Sequence, residues 1–300
     1  MKKKKQLYKN RDIILFLLPA IILFVGVLIA PIIMSVYYSL FDWKGISGDM
    51  KFVLFDNYKY IFTNHIYDVK KTLGNALLLA AFSTFVQLPL SLWIALKLAK
   101  GIKGDRVFLS VFFMPVLIST VVIGQLWMKI YDGDNGLVNT FLRAIGVMGE
   151  DEMIVWLGDK KYALWATFVP IIWQYVGYHM LLMYAGIKGV PPELSEAAML
   201  DGCTEGQLNR HIIIPYIKPI LRVSVIFAVT GSLKSYDLIK VLTEGGPGLN
   251  TTEVPSLLLY RLMFKANALG KGSAVAVILI VLCFVFALLI SLAFKGDDIV

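Results

Sequence analysis

The sequence predicts an all-α protein that crosses a membrane about six times, and three observations predict it. Of the 300 residues, 58% are hydrophobic and 17% are charged, with a mean hydropathy of +0.71. A soluble domain carries roughly 25% charged and about 45–50% apolar residues. The apolar excess is gathered into runs of about 20 residues or more, enough to cross roughly 30 Å of hydrocarbon. Those runs are continuous, without the ten-residue alternation of a barrel strand. Helices must therefore satisfy the backbone inside the bilayer.

The six runs are taken in order. The first, 12–38, follows a basic tail at 1–11 that holds Lys2, Lys3, Lys4, Lys5, Lys9 and Arg11. It is longer than the roughly 7–15-residue core of a signal peptide and no small-x-small cleavage site follows, so it is expected as a retained span. The second and third runs, 72–96 and 107–130, are joined by a short loop with Lys97, Lys100, Lys103 and Arg106 against Asp105 alone. The fourth and fifth, 163–186 and 218–242, contain Gln174, Gly177, His179, Gly231, Ser232 and Ser235. These two are expected to face other helices or water. The sixth run is 273–294, and 12–300 reads as a single transmembrane domain.

Charge sets the orientation. The segment 131–162 holds Asp132, Asp134, Glu150, Asp151, Glu152 and Asp159, an acidic excess. Because Lys and Arg are retained on the cytoplasmic side, both termini and the loop 187–217 are expected inside and 131–162 outside. The net charge of +8 then reports topology, not nucleic-acid binding. Two outer segments carry aromatic-rich motifs, Phe55-Asp56-Asn57-Tyr58 and Gly136-Leu137-Val138-Asn139 with Trp156-Leu157-Gly158-Asp159. Interface anchoring and short helices at the outer mouth account for them. Lys234, Asp237 and Lys240 read as snorkelling charges with i, i+3 pairing near the outer end of the fifth span.

The chain offers no catalytic constellation. His65, His179 and His211 share no metal-ligand spacing, and H-E-x-x-H is absent. Cys203 and Cys283 are far apart and suggest neither disulfide nor metal. There is no G-x-x-x-x-G-K-[ST] loop, so no nucleotide site is expected in this chain.

The loop 187–217 carries the functional signal. Pro191 and Pro192 suit a helix start, with Glu193 and Glu196 against the positive end of its dipole. Leu194, Ala197, Ala198 and Asp201 recur at i, i+3, i+4 and i+7, a low ridge that another surface approaches closely. Gly202 suits the left-handed position that ends the helix. Thr204 and Gln207 then form a capping box for a second short helix, with Pro215 and Pro219 bounding the return into the membrane.

Glu196-Ala197-Ala198, Asp201-Gly202, Ile212 and Pro215 resemble the signature loop of binding-protein-dependent ABC importer permeases, with Cys203, Asn209 and Ile214 as departures. Phe55 to Tyr58, Trp156 to Asp159, Ile172-Trp173-Gln174-Tyr175-Val176-Gly177-Tyr178 and Tyr236 to Pro247 resemble the carbohydrate-uptake branch, specifically the first permease subunit of maltose, multiple-sugar and glycerol-phosphate importers. The resemblance implies the ABC type I importer permease fold in a bacterial plasma (inner) membrane. It implies a second homologous permease, two ATPase subunits that bind ATP and Mg, and an extracellular or periplasmic sugar-binding protein, a lipoprotein in a Gram-positive cell. Glu196, Ala197, Ala198, Asp201, Gly202, Ile212 and Pro215 would couple to the ATPase. Trp173, Gly177, Met180, Gly231, Ser232 and Ser235 would line the sugar path. No cofactor and no catalysis are expected of this chain itself. The alternatives are a permease of the same superfamily for a non-sugar solute, an ion-driven transporter, which wants carboxylates buried in its spans, and an intramembrane enzyme.

Overall fold

The computed structural model describes residues 10–45 and 49–294, so residues 1–9 of the basic tail lie outside the described residues. The chain forms two compact units, 1–61 with 259–278, and 62–258 with 279–300.

The first unit begins with helix α1, in which Asn10–Leu23 and Ala30–Ser39 are joined by a π-helical turn, Phe24–Ile29. The cause is Pro31. It has no N–H to give the carbonyl four residues back, so the bonding slips to i+5, as in Ala30 N–H to Val25 O. Strand β1 (Phe41–Asp42) pairs antiparallel with β2 (Lys51–Phe52), and α2 (Asp56–Thr63) follows. The Phe55–Tyr58 motif clasps the end of α1. Asn57, buried, donates to the carbonyls of Ser39 and Phe41 at 2.8 Å each, and the Tyr58 hydroxyl donates to Ser39 Oγ at 2.8 Å. Sequence reading gave these residues an interfacial role. Their partners show that they satisfy the orphan carbonyls at a helix end.

In the second unit, α3 covers 69–99 as Val69–Phe82, a π turn Ser83–Gln87 and Leu88–Ala99, the turn here imposed by Pro89. Helices α4 (Asp105–Leu117), α5 (Thr120–Ile130), α6 (Leu137–Ala144) and α7 (Ala163–Lys188) follow. Next come α8 (Pro192–Leu200) and α9, residues 205–216, with a third proline-linked π turn at Asn209–Ile213 before Pro215. Then come α10 (Lys218–Leu233) and α11 (Asp237–Leu242), and two further helices, α12 (Pro255–Tyr260) and α13 (Leu269–Ala293), have residues 259–260 and 269–278 in the first unit and the rest in the second.

The core of this unit packs Leu88, Ile94 and Leu98 of α3 against Ile172, Val176, Met180 and Met183 of α7, with Ile217 and Ala228 completing it. Helix α4 lies so close to α7 that a Cβ on Gly177 would sit 1.8 Å from the Phe112 carbonyl oxygen. Small residues permit such close approach between helices in membranes.

Two of the six predicted runs are not single helices. The run 107–130 is α4 and α5, bent by 98° at Ile118 and Ser119, both extended. The run 218–242 is interrupted at 234–236, between α10 and α11. Among the described residues, Ile13–Ser39, Val69–Ala99 and Leu269–Ala293 are long and apolar enough to cross a bilayer alone. Helix α7 has the length, 26 residues, but not the same apolarity.

Loop contacts establish which loops share an end of the second unit. Lys188 Nζ donates to the Ala99 carbonyl at 2.8 Å and Lys100 pairs with Glu205, so 97–106 and 187–217 meet. At the other end, the buried Asn75 amide donates to the carbonyls of Asn250, Thr251 and Glu253, and Lys71 to that of Leu249. The acidic segment folds on itself. Asn139 donates to Gly133 O (2.8 Å) and Ile154 O (2.9 Å) and accepts from Trp156 Nε1 (2.7 Å), joining the two motifs read separately in the sequence.

Candidate functional site: an exposed helical loop and a polar cavity

Helix α8 starts on Pro192 and ends in a double turn closed by two backbone bonds, Cys203 N–H to Ala198 O (3.0 Å) and Gly202 N–H to Met199 O (3.1 Å). That pattern needs a left-handed residue, and Gly202 has φ +80°. Nothing lies within 4 Å of where its Cβ would be, so glycine is required for backbone conformation, not for space. The capping box forms as the spacing predicts, with Thr204 N–H donating to Gln207 Oε1 (2.8 Å) and Gln207 N–H to Thr204 Oγ1 (3.4 Å).

No residue of α8 is buried. Leu194, Met199 and Leu200 are exposed by 45%, 56% and 88%, beside exposed Glu196, Ala197, Asp201 and Gly202. Ala198, Ile212 and Pro215 are half-buried. The bare apolar surface is thus centred nearer Leu200 than the Leu194–Asp201 face drawn from periodicity. The helix is doubly capped, and among the described residues this apolar surface is left uncovered. Glu205, at the start of α9, is held by Lys100, whose hydrogen bond keeps its carboxyl below the usual carboxylate range.

The second feature is a cavity of about 420 Å³ in the second unit. Its wall combines Ser83 and Gln87 from the π turn of α3, Gln174, Tyr175, Tyr178 and His179 from α7, and Thr230, Gly231 and Ser232 from α10. Ser232 Oγ donates to the Ala228 carbonyl at 2.7 Å and stands 3.3 Å from Ser83 Oγ. Gln174 Oε1 and His179 Nδ1 are buried with no protein partner among the described residues. A buried acceptor without a partner is costly unless a guest or water satisfies it. Lys234, Ser235, Tyr236 and Asp237 also line the cavity.

Here the charge reading from sequence is corrected. Lys234 and Asp237 do not share a helix face, because the helix breaks between them: Lys234 caps the negative end of α10 and Asp237 opens α11 at its positive end. Asp237 lines the cavity, and Lys240 pairs with Glu244 (2.6 Å).

Of the residues expected along a sugar path, the structure brings Gly231, Ser232 and Ser235 to the cavity wall. The other three lie off it. Gly177 packs on α4, Met180 is fully buried in the core, and Trp173, 40% exposed, meets Trp127 edge-on at 5.9 Å between centroids. Sequence reasoning did not find Ser83 and Gln87. Their i, i+4 spacing just before Pro89 was the available signal.

Broken and long apolar helices, an exposed capped loop and a polar cavity define a multi-pass membrane transport protein. Residues 87–294 match the family model described as the binding-protein-dependent transport system inner membrane component, and the chain belongs to that family. It is 35% identical to the probable ABC transporter permease protein YurN of Bacillus subtilis, over 94% of this chain and 95% of that one. It is 31% identical to the diacetylchitobiose uptake system permease protein NgcF of Streptomyces coelicolor, over 90% of this chain and 78% of NgcF. Among solved structures, a chain of a bacterial ABC transporter that imports the acidic polysaccharide alginate superposes with a TM-score of 0.80 at 22% identity, over 95% of this chain and 96% of that one, a likeness of fold.

Proposed function

We propose that this chain is one of two homologous pore-forming permeases of an ATP-driven importer, and that its solute is a sugar or oligosaccharide. The observation that carries the reading is the cavity. Its wall combines aromatic side chains (Tyr175, Tyr178, Phe227) with amide, imidazole and hydroxyl side chains (Gln87, Gln174, His179, Ser83, Thr230, Ser232), the combination that takes a ring with many hydroxyls. Relatives named for diacetylchitobiose and multiple-sugar uptake support the same class.

In this reading the six runs 12–38, 72–96, 107–130, 163–186, 218–242 and 273–294 span the bilayer, with both termini and 187–217 inside. Glu196, Ala197, Ala198, Asp201, Gly202, Ile212 and Pro215 form or support the surface that docks on a separate ATPase, and two copies of that ATPase bind ATP and Mg. A sugar-binding protein delivers the solute from outside. This chain moves the solute and catalyses no reaction.

The test is purification of the complex from native membranes and reconstitution in liposomes. The expected result is a second permease, two ATPase copies, and ATP hydrolysis with sugar uptake stimulated by the loaded binding protein. Uptake by this chain alone, driven by a sodium or proton gradient, refutes the proposal.

A further inference from the structure

The 97–106 turn has a chemistry that solute passage does not use. On α3, Val86, Leu90, Trp93, Lys97 and Lys100 follow one another at helical spacing and all are exposed, Trp93 by 60%. This is an exposed stripe that passes from aliphatic to indole to ammonium within about four turns. Helix α4 mirrors it in the opposite direction, with exposed Arg106 followed by exposed Val107, Phe108 and Val111. Between them Gly101 (φ +76°) and Gly104 (φ +85°) turn the chain, leaving Ile102 and Lys103 exposed at the tip. The level at which apolar gives way to basic is the level of lipid phosphates.

Three of the four cations at that level have no ion-pair partner among the described residues. Among the described residues, Lys97, Lys103 and Arg106 form no ion pair within 4.0 Å, although Lys97 acts through space on the Glu205 carboxylate, and Asp105 accepts from the Arg106 backbone N–H (2.7 Å). Lys100 does have a partner, Glu205, at the start of α9. The turn therefore touches the segment that the preceding section assigns to ATPase docking.

We propose that the 97–106 turn is a docking surface for anionic phospholipid, with Lys97, Lys103 and Arg106 holding headgroup phosphates and Lys100 carrying the position of the turn to Glu205. A zwitterionic headgroup offers these cations no net charge. An anionic one satisfies them and fixes the turn against which the α8–α9 segment is braced. Each basic residue at an anionic surface contributes about fivefold in affinity, so three contribute about a hundredfold, falling as salt rises.

The experiment uses the whole complex in nanodiscs of phosphatidylcholine with increasing phosphatidylglycerol, and native mass spectrometry to count retained lipid, a readout that does not depend on what is transported. The wild type is expected to retain phosphatidylglycerol and to gain about threefold or more in uptake per ATP. The triple variant Lys97→Gln, Lys103→Gln, Arg106→Gln is expected to lose both responses, and the charge-conserving Lys97→Arg, Lys103→Arg, Arg106→Lys to keep them. Equal behaviour of the wild type in neutral and anionic discs overturns the proposal. So does release of the ATPase subunits from the triple variant in lipid-free detergent, which would place a protein on this surface instead.

Discussion

Replacing Gly202 tests whether α8 acts as a rigid coupling element. The residue sits at φ +80° with open space where a Cβ would go, so any effect must come from the backbone. A non-glycine residue in that region costs about 1–2 kcal/mol, with β-branched side chains at the upper end, whereas Asn tolerates it. On a two-state view of the cap, that is about a five- to thirtyfold shift toward the uncapped form. The Cys203–Ala198 and Gly202–Met199 bonds are lost together when the cap opens. The assay is sugar uptake per ATP hydrolysed in proteoliposomes for Gly202→Val, Gly202→Ala and Gly202→Asn. The ratio should fall in the order Asn, Ala, Val, with Asn near wild type and sugar affinity of the binding protein unchanged in all. If Val couples as well as glycine, or if Asn is as damaging as Val, the argument from backbone conformation is wrong.

Other positions give independent outcomes. Gly231→Leu projects into open cavity space, so uptake should fall at least tenfold while the melting temperature holds, whereas Gly177→Ala meets the Phe112 carbonyl and should lower the melting temperature. Asn75→Ala removes the amide that donates to three carbonyls of the 250–253 loop and should destabilise by about 1–3 kcal/mol, read as faster proteolysis of that loop. The Glu205 carboxyl is held below its ordinary range by Lys100, so this link is present at and above the ordinary carboxylate pKa and is lost as pH falls through the lowered one. Glu205→Gln should abolish that acid-side change in coupling, and the exchange Lys100→Glu with Glu205→Lys should restore it, as measured by uptake per ATP across pH.

Much of the loop was legible because its signals are local. Pro192 at the helix start, Gly202 at the left-handed position and the Thr204–Gln207 box each depend on residues within a few positions, and each formed as read. The apolar runs were legible as length and composition, but their continuity was not. The bend at Ile118 and Ser119 lies in a stretch whose residues do not forbid a helix, so hydropathy alone passes over it. The cavity was partly legible. Polar residues in a span announce that something polar is near, which singled out Gln174, His179 and Ser232. Which of them face one another depends on helix rotation and on the π turn at Ser83–Gln87, and those follow from packing between segments distant in sequence. Gly177 shows the ambiguity best, since a glycine that admits a ligand and one that admits a neighbouring helix look alike until the Phe112 carbonyl is found against it.

The same prolines that interrupt the helices also link the two functional features. Helix α9 meets α10 at Ile217, which is 1% exposed and packed in the core, with a 71° bend between the segments. Gly186 of α7 admits Ile220 of α10 so closely that a Cβ there would lie 2.2 Å from its Cδ1. Motion imposed on α8 and α9 thus meets a buried pivot, not a slack loop, and passes into a helix clamped at its near end. From Ile217 to Ser232, at 1.5 Å per residue, α10 reaches about 22 Å, which carries a displacement at the pivot to the wall of the cavity. The far end of α10 is buried at Ser232 and Leu233, and the helix stops there. The break at 234–236 separates it from α11, with Gly231, Ser232 and Ser235 beside Ser83 and Gln174 in the cavity wall. If the proposed ATPase docks on α8, the buried pivot at Ile217 is where its displacement enters α10, and coupling then requires a second arrangement of this helix that both sites bias.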